Sequence, residues 1–167
     1  SPAYYRFSAD ADEEPVNFYS YGPQNSRGFR ALKVWLAFRA AGREGLVRMI
    51  RDDIALAKTL RVEVLKRPEL EGLTQSLSIT TFRYVPPDLD RNEPGVAEYL
   101  NQLNTELLDR IQKSGEIFLS NAVIDGKFAL RSCIVNFRTT RADIEALPGI
   151  VVRLGSETDA ALRKRTP

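Results

Sequence analysis

The sequence predicts an α+β fold in which helices pack against an antiparallel sheet. Three observations favour this class: helical and strand-like periodicities alternate along the chain, residues 77–85 are rich in β-branched and aromatic side chains, and Asp125-Gly126 joins two further strand-like runs. A chain of 167 residues with 43% apolar residues is long enough to bury the core that this fold requires.

The first part of the chain predicts an irregular segment followed by one helix. Residues 1–25 show no sustained hydrophobic period and are rich in turn-forming residues, so we expect an extended segment that is ordered by a partner surface. Ser26 can cap a helix whose apolar residues recur at helical spacing until Gly42. Apolar residues such as Val34 and Phe38 also occupy its other faces, so we predict that this helix is largely buried.

A second helix and two strands are predicted next. The helix runs from about Arg43 to just before Pro68, with an apolar stripe along one face. Residues 70–73 and 77–85 then follow as strands, and the second strand ends at Pro86-Pro87.

A third helix and a hairpin are predicted after a loop at residues 88–95. The helix extends from Val96 and is closed by Gly115. Residues 116–124 and 127–137 flank Asp125-Gly126, a strong hairpin signal, so these two runs should pair antiparallel.

The last helix begins with a capping box. Thr140 is followed three residues later by Asp143, which predicts reciprocal capping at this point. We expect Pro148-Gly149 to interrupt the helix, and the charged residues 163–165 to form its solvated end.

Charge and cysteine content exclude several classes of function. A net charge of +2 is too small to drive binding to nucleic acid or anionic lipid, so neither partner is expected. The single cysteine, Cys133, cannot form an internal disulfide, which favours a reducing compartment such as the cytoplasm. The apolar runs are too short to span a bilayer, and we expect no metal site.

One motif resembles a known family. Residues 25–35, Asn-Ser-Arg-Gly-Phe-Arg-Ala-Leu-Lys-Val-Trp, resemble the Ser/Gly-Arg-Arg-Phe-Arg-Ser/Ala-Leu-Lys-x-Trp signature of the group II pyridoxal-phosphate (PLP) amino-acid decarboxylases, the aromatic/glutamate/histidine decarboxylase family. Segments at residues 42–45, 111–119 and 130–140 follow in the family's order. The resemblance covers nearly the whole chain but only about the C-terminal third of such an enzyme, and Gly28 replaces the family's second arginine.

The resemblance implies the small C-terminal α+β domain of a PLP fold type I enzyme. Residues 1–50 would be the mobile catalytic loop and last helix of the large domain, and residues 51–167 the small domain. In the family, PLP forms a Schiff base with a lysine that follows a histidine. This chain has six lysines but no histidine, so an upstream polypeptide or domain must hold the cofactor, in an enzyme expected to be a homodimer.

Two site residues are implied by the resemblance. Tyr4 lies in Ser-Pro-Ala-Tyr-Tyr, which resembles the Asp-Pro-Thr-Tyr-Leu of the mobile loop, where the tyrosine is thought to return a proton to the substrate after carbon dioxide leaves. The alternatives are an ordinary exposed tyrosine, or Tyr5 in this role. Ser26, besides capping the helix, would face the substrate ring.

Three arginines have competing interpretations. Arg27 and Arg30 are candidates for binding a phosphate or carboxylate near the helix start, although solvated or domain-bridging side chains would look the same. We interpret Arg138 as structural, tying the last strand to the Thr140 cap.

The sequence leaves three functions open. The first is the C-terminal segment of a PLP-dependent L-amino-acid decarboxylase, inactive without its upstream part. The second is a PLP enzyme of the same fold that performs aldehyde synthesis or transamination. The third is a freestanding, non-catalytic α+β interaction module. The start at Ser1 suggests a fragment, a processed chain or one piece of a nicked protein, and the amino-acid substrate stays open.

Overall fold

The structure, a computed structural model, describes residue 21 and residues 28–165. It divides into two compact units, Ser1–Gly42 and Arg43–Pro167. The elements, in chain order, are α1 (Arg30–Leu65), β1 (Leu70–Ser76), β2 (Ile79–Tyr84), α2 (Val96–Ser114), β3 (Ser120–Ile124), β4 (Lys127–Cys133) and α3 (Arg141–Arg163). The predicted α+β class is confirmed.

Helix α1 is broken at Gly42. This residue has φ +63° and ψ 176°, a backbone conformation outside the helical region. Such a positive φ with an extended ψ is essentially restricted to glycine, because any Cβ would clash with the backbone. The end of the first predicted helix at Gly42 is therefore confirmed.

The described residues 28–42 of the first unit expose apolar side chains. Phe29, Trp35 and Phe38 are each more than half exposed, at 72%, 56% and 57%. The prediction that this helix is largely buried is therefore wrong for the chain as it stands. Apolar composition indicates that a helix favours burial, but burial also needs a covering surface.

The second unit contains one four-stranded antiparallel sheet in the order β1-β2-β4-β3. The β3–β4 hairpin turns at Asp125 and Gly126, which both have positive φ, of 50° and 76°. Two consecutive positive φ values are the mark of a type I′ turn, so the predicted hairpin is confirmed. The strands are shorter than predicted, because residues 116–119 and 134–137 lie outside the ladder.

All three helices contact the same face of this sheet. The Thr80 hydroxyl donates to the Ala57 carbonyl of α1 at 2.9 Å, and Asn104 of α2 bonds the backbone of Tyr84. Gly155 of α3 lies against the Tyr84 ring, where a Cβ would come within 2.6 Å of ring carbons. The core between helices and sheet includes Leu60, Val64, Phe82, Leu100, Leu103, Leu107, Ile111, Leu119, Leu130 and Val151.

Local capping signals define the ends of α2 and α3. Gly115 ends α2 with φ +73°, as predicted. At the start of α3 the Thr140 backbone N–H donates to Asp143 Oδ2 at 2.8 Å, while the Asp143 N–H donates to Thr140 Oγ1 at 3.3 Å. The predicted capping box is confirmed.

The predicted interruption at Pro148-Gly149 is wrong, because α3 continues through both residues to Arg163. Pro148 removes one backbone hydrogen bond, but it is buried in the same apolar stripe as Leu147 and Val151. Packing of this stripe into the core offsets the lost bond. No helix in the described part of the chain is long and apolar enough to cross a membrane.

Candidate functional site

The two predicted site residues lie outside the residues that the structure describes. Tyr4 and Ser26 fall in the segments before residue 28 that are not described, as do Tyr5 and Arg27. Arg30 begins α1 and is exposed. The roles assigned to Tyr4 and Ser26 therefore stay predictions that rest on the resemblance.

The first unit presents an apolar helix surface, defined by Phe29, Leu32, Val34, Trp35, Leu36 and Phe38, all of them exposed. Part of it is a shallow groove that Phe29, Leu32 and Leu36 line together with Lys33. The Arg39 guanidinium lies 5.6 Å from the centre of the Trp35 ring, a cation–π contact. Large apolar side chains exposed together in this way mark a contact site rather than a reaction centre.

The described residues do not fit a PLP site. The sequence has no histidine, and its lysines are solvent-facing or ion-paired: Lys66 contacts Glu63 at 2.6 Å and Lys113 contacts Asp109 at 2.6 Å. A Schiff-base lysine needs a desolvated environment, and these exposed, ion-paired amines do not have one. Among the described residues, no three His, Cys, Asp or Glu side chains cluster to hold a metal either.

A charged cluster lies on the sheet face opposite the helices. Glu71 accepts from Arg83 Nε at 2.7 Å and from Lys127 Nζ at 2.8 Å, and Arg91 lies 3.9 Å away. Burial raises the pKa of Glu71, but the bonds from Lys127 and Arg83 together outweigh burial and hold its pKa below the usual value. Glu71 is therefore a carboxylate at neutral pH, unsuited to donate a proton.

A second polar network joins α2, α3 and the loop before α2. The Tyr99 hydroxyl donates to Asp159 at 2.5 Å, and Arg163 donates to both oxygens of Asp88 at 2.6 and 2.9 Å. Burial and the bond to Asp159 raise the pKa of Tyr99 to about 12, so its phenol stays protonated near neutral pH. The sequence predicted that Arg163 would be solvated at the end of the helix. Instead, its ion pair with Asp88 joins α3 to the loop before α2.

The link between β4 and α3 is made by Asn136. Its side-chain oxygen accepts from the Arg138 backbone N–H at 3.0 Å, and its carbonyl accepts from the Thr139 N–H at 2.9 Å. The Arg138 guanidinium lies over the Phe137 ring, 5.4 Å from its centre. The prediction that Arg138 ties the last strand to the Thr140 cap is therefore wrong, because the hydrogen bonds of this segment are made by Asn136.

Comparison with known proteins shows similarity to amino-acid decarboxylases. No protein-family model matches the sequence. The chain is 34% identical over 135 residues to tyrosine decarboxylase 2 of Arabidopsis thaliana, covering 80% of this chain and 24% of that protein. It is 33% identical over 144 residues to the aromatic-L-amino-acid decarboxylase of Bacillus atrophaeus, covering 86% and 29%. The chain is homologous to the group II amino-acid decarboxylases.

Two further comparisons refine the relation to these decarboxylases. The chain is 32% identical over 136 residues to phenylacetaldehyde synthase of a Rosa hybrid cultivar, covering 80% of this chain and 27% of that protein. Its fold matches mouse CSAD in apo form with a TM-score of 0.72 and 29% identity, over 79% of this chain and 29% of that one. The predicted resemblance and the small C-terminal domain fold are confirmed, and the chain spans about a quarter of the length of these curated relatives.

Two features of this decarboxylase-type domain escaped the sequence analysis. Asn104 is fully buried in α2, where it accepts from the Tyr84 N–H at 2.8 Å and donates to the Tyr84 carbonyl at 2.9 Å. The Glu71–Arg83 ion pair lies on neighbouring strands, directly across the ladder. The sequence contained a signal for each. Asn104 is a polar residue within the apolar stripe of α2, and Arg83 alternates with Phe82 and Tyr84 in β2.

Proposed function

We propose that this chain is the C-terminal segment of a PLP-dependent L-amino-acid decarboxylase, which converts an amino acid to an amine and carbon dioxide. The observation that carries the proposal is the homology to decarboxylases over about four fifths of this chain. The relatives are about four times longer than the matched segment, so the activity belongs to a larger enzyme of which this chain supplies one part.

In this proposal an upstream polypeptide or domain holds PLP. PLP supplies the electron sink for loss of carbon dioxide, and the described residues do not make a site for it. The apolar helix surface of the first unit supports the proposal, because Trp35 and Phe38 would be covered by that upstream part. Residues 1–50 then belong with the large domain and residues 51–167 form the small domain.

The proposed roles of Tyr4 and Ser26 follow the family motif. Tyr4 returns a proton to the substrate carbon that has lost carbon dioxide, a step that suits a phenol because it is neutral before the transfer. Ser26 lies at the edge of the substrate pocket. The enzyme is a homodimer in the cytoplasm, in which the exposed thiol of Cys133 stays reduced.

Two alternatives are kept. Aldehyde synthesis is compatible with the similarity to a phenylacetaldehyde synthase, but a tyrosine at position 4 favours the amine, because phenylalanine accompanies aldehyde synthesis in the family. Transamination would need the same upstream PLP site. A freestanding interaction module would leave the apolar helix surface exposed, which disfavours it.

The first experiment tests whether the enzyme exists as a larger assembly. Intact-mass measurement of the natively purified protein should find an upstream polypeptide joined to or accompanying the chain. The preparation should show PLP absorbance and release carbon dioxide from at least one L-amino acid. A monodisperse 18.8 kDa species alone, without PLP, would favour the interaction module.

The second experiment tests Tyr4, with Tyr5 as the matched control. Tyr4→Phe in the holoenzyme should shift the products from amine toward aldehyde, because the proton donor is lost, while Tyr5→Phe keeps the amine. Chromatographic product ratios give the readout. An unchanged ratio in Tyr4→Phe removes Tyr4 from the mechanism, and a shift in Tyr5→Phe alone assigns the role to Tyr5.

A further inference from the structure

A cavity of about 390 Å³ lies in the second unit, where the loop before α2 meets the first turn of α2 and the end of α3. Small organic molecules bind in cavities of about 300–1,000 Å³. The lining residues include Leu89, Glu93, Pro94, Val96, Tyr99 and Arg163. None of the predicted site residues belongs to this cavity, so it is a separate place at which a ligand could bind.

The walls of the cavity are mostly apolar and rest on the hydrophobic core. Val96 is 8% exposed and belongs to the core, while Leu89 and Tyr99 are half-buried against it. Pro94 adds a further apolar ring to the lining. A ligand that enters the cavity would therefore place an apolar body against these side chains and remove it from water.

The polar donors of the lining are already engaged by carboxylates of the same unit. Arg163 donates from Nε to Asp159 at 3.1 Å and from its two Nη atoms to Asp88 at 2.6 and 2.9 Å. The Tyr99 hydroxyl also donates to Asp159. An anionic ligand would have to compete with two carboxylates for these groups, so the cavity disfavours anions.

Glu93 gives the cavity an unbalanced negative charge. Among the described residues no ion pair engages its carboxylate, and beside it Asp88 and Asp159 already outnumber Arg163. The first N–H groups of α2 attract negative charge, but Glu93 and Glu98 of this chain supply it. A ligand that balances the cavity therefore carries positive charge.

We propose that this cavity binds a small organic ammonium ion, with its apolar body against Leu89, Val96 and Tyr99 and its N–H group donating to the Glu93 carboxylate. An ammonium group has donors and no acceptor, which suits a lining whose free polar group is a carboxylate. The site goes beyond the proposed function and does not rest on it. The amine that the proposed reaction releases belongs to this ligand class, so the small domain would bind the product at a place of its own.

The probe for this site is N,N-dimethylphenethylamine, added to the natively purified protein. This tertiary amine is protonated at neutral pH and has no primary amino group, so it cannot form a Schiff base with PLP. Isothermal titration calorimetry should find a binding site on each chain with a dissociation constant below the millimolar range. Absence of binding at millimolar probe concentrations would overturn the proposal.

Glu93→Gln tests the charge of the site, and Glu98→Gln is its matched control. Both variants remove a negative charge near the start of α2, but Glu98 does not line the cavity. Glu93→Gln should weaken probe binding at least about tenfold, because it removes a charge-assisted hydrogen bond, while Glu98→Gln should change the affinity less than about twofold. Both side chains are exposed, so neither variant should unfold the domain. Equal affinities in the two variants would contradict the proposed site.

Two analogues of the probe test the ligand class. Phenylbutyrate carries the same ring with the opposite charge and should not bind. Dimethylethylamine keeps the charge without the ring and should bind at least about tenfold more weakly, because burial of an aromatic ring contributes about 1.5–3 kcal/mol. Phenylbutyrate that binds as tightly as the probe would refute the ammonium assignment.

The site and the proposed function can fail separately. An active PLP enzyme whose probe affinity is the same with and without Glu93→Gln would refute the site alone. A protein without PLP whose probe binding is lost in Glu93→Gln would keep the site and refute the function.

Discussion

Large apolar side chains are exposed in the described part of the first unit and buried in the second unit. In the second unit, Phe82 and Leu103 are fully buried between helices and sheet. In the first unit, Phe29 and Trp35 are 72% and 56% exposed. The second unit thus has a core of its own, whereas the described residues of the first unit carry large apolar side chains that stay exposed. The contrast separates buried residues that stabilise this chain from exposed residues that contribute little to its stability.

The largest expected change in the free energy of unfolding comes from truncating a buried side chain of the second unit, compared with an exposed one of the first. Phe82→Ala should lower the free energy of unfolding of the 167-residue chain by about 3–5 kcal/mol, because it opens a cavity in the core. Trp35→Ala should change it by less than about 0.5 kcal/mol. Urea denaturation followed by circular dichroism gives both values. Equal losses would show that the first unit also stabilises the isolated chain.

Asn104 tests whether the second unit depends on its buried polar contact. Asn104→Ala should cost about 2–3 kcal/mol, because it leaves the Tyr84 N–H and carbonyl buried without partners. The control Gln102→Ala removes an exposed amide from the same helix and should be nearly neutral. Urea midpoints of the two variants within about 0.2 M of each other would contradict this role for Asn104.

The close contact between Gly155 of α3 and the Tyr84 ring predicts a stability loss comparable to or smaller than that of Asn104→Ala. Gly155→Ala should destabilise the chain by about 1–3 kcal/mol, because the added Cβ would lie 2.6 Å from the Tyr84 ring. Gly149→Ala in the same helix meets nothing closer than 4.0 Å, so it should be neutral or stabilising by up to about 1 kcal/mol. Thermal unfolding measures both, and a Gly155→Ala protein as stable as the parent would mean that α3 can move away from the sheet.

The smallest effect is the pH dependence that Glu71 contributes. Its pKa is lowered in the folded state, so the stability it contributes is present above the unfolded pKa and is lost as pH falls through the folded pKa. Glu71→Gln should therefore cost about 1 kcal/mol at pH 7, with the difference from the parent shrinking at more acidic pH. The exposed Glu145→Gln is the control. A cost that does not change between pH 7 and pH 3 would assign Glu71 a purely steric role.

The sequence predicted the parts of the fold that local chemistry determines. The Asp125-Gly126 turn, the Thr140–Asp143 capping box and the Gly115 cap each depend on a few adjacent residues, and all three are present. The resemblance in residues 25–35 also allowed the small-domain fold to be predicted, and the structural comparison confirms that fold.

Features that depend on distant contacts were missed. Pro148 was expected to interrupt α3. Its cost is one local hydrogen bond, whereas the packing that offsets this cost involves the whole buried stripe of the helix. The Glu71–Arg83 pair required the strand register, which the sequence did not give. For the site, Tyr4 and Ser26 stay predictions made from a motif alone, because both lie outside the described residues.

The break at Gly42 has a consequence for how this protein tolerates substitution. No atom lies within 4 Å of the point where a Cβ at position 42 would be, so crowding does not restrict the residue; its φ of +63° does. In a saturation library, every one of the other amino acids should be disfavoured there regardless of size, a signature unlike that of Gly155, where penalties grow with volume. Position 42 would then mark, from genetic data alone, where one unit ends and the next begins.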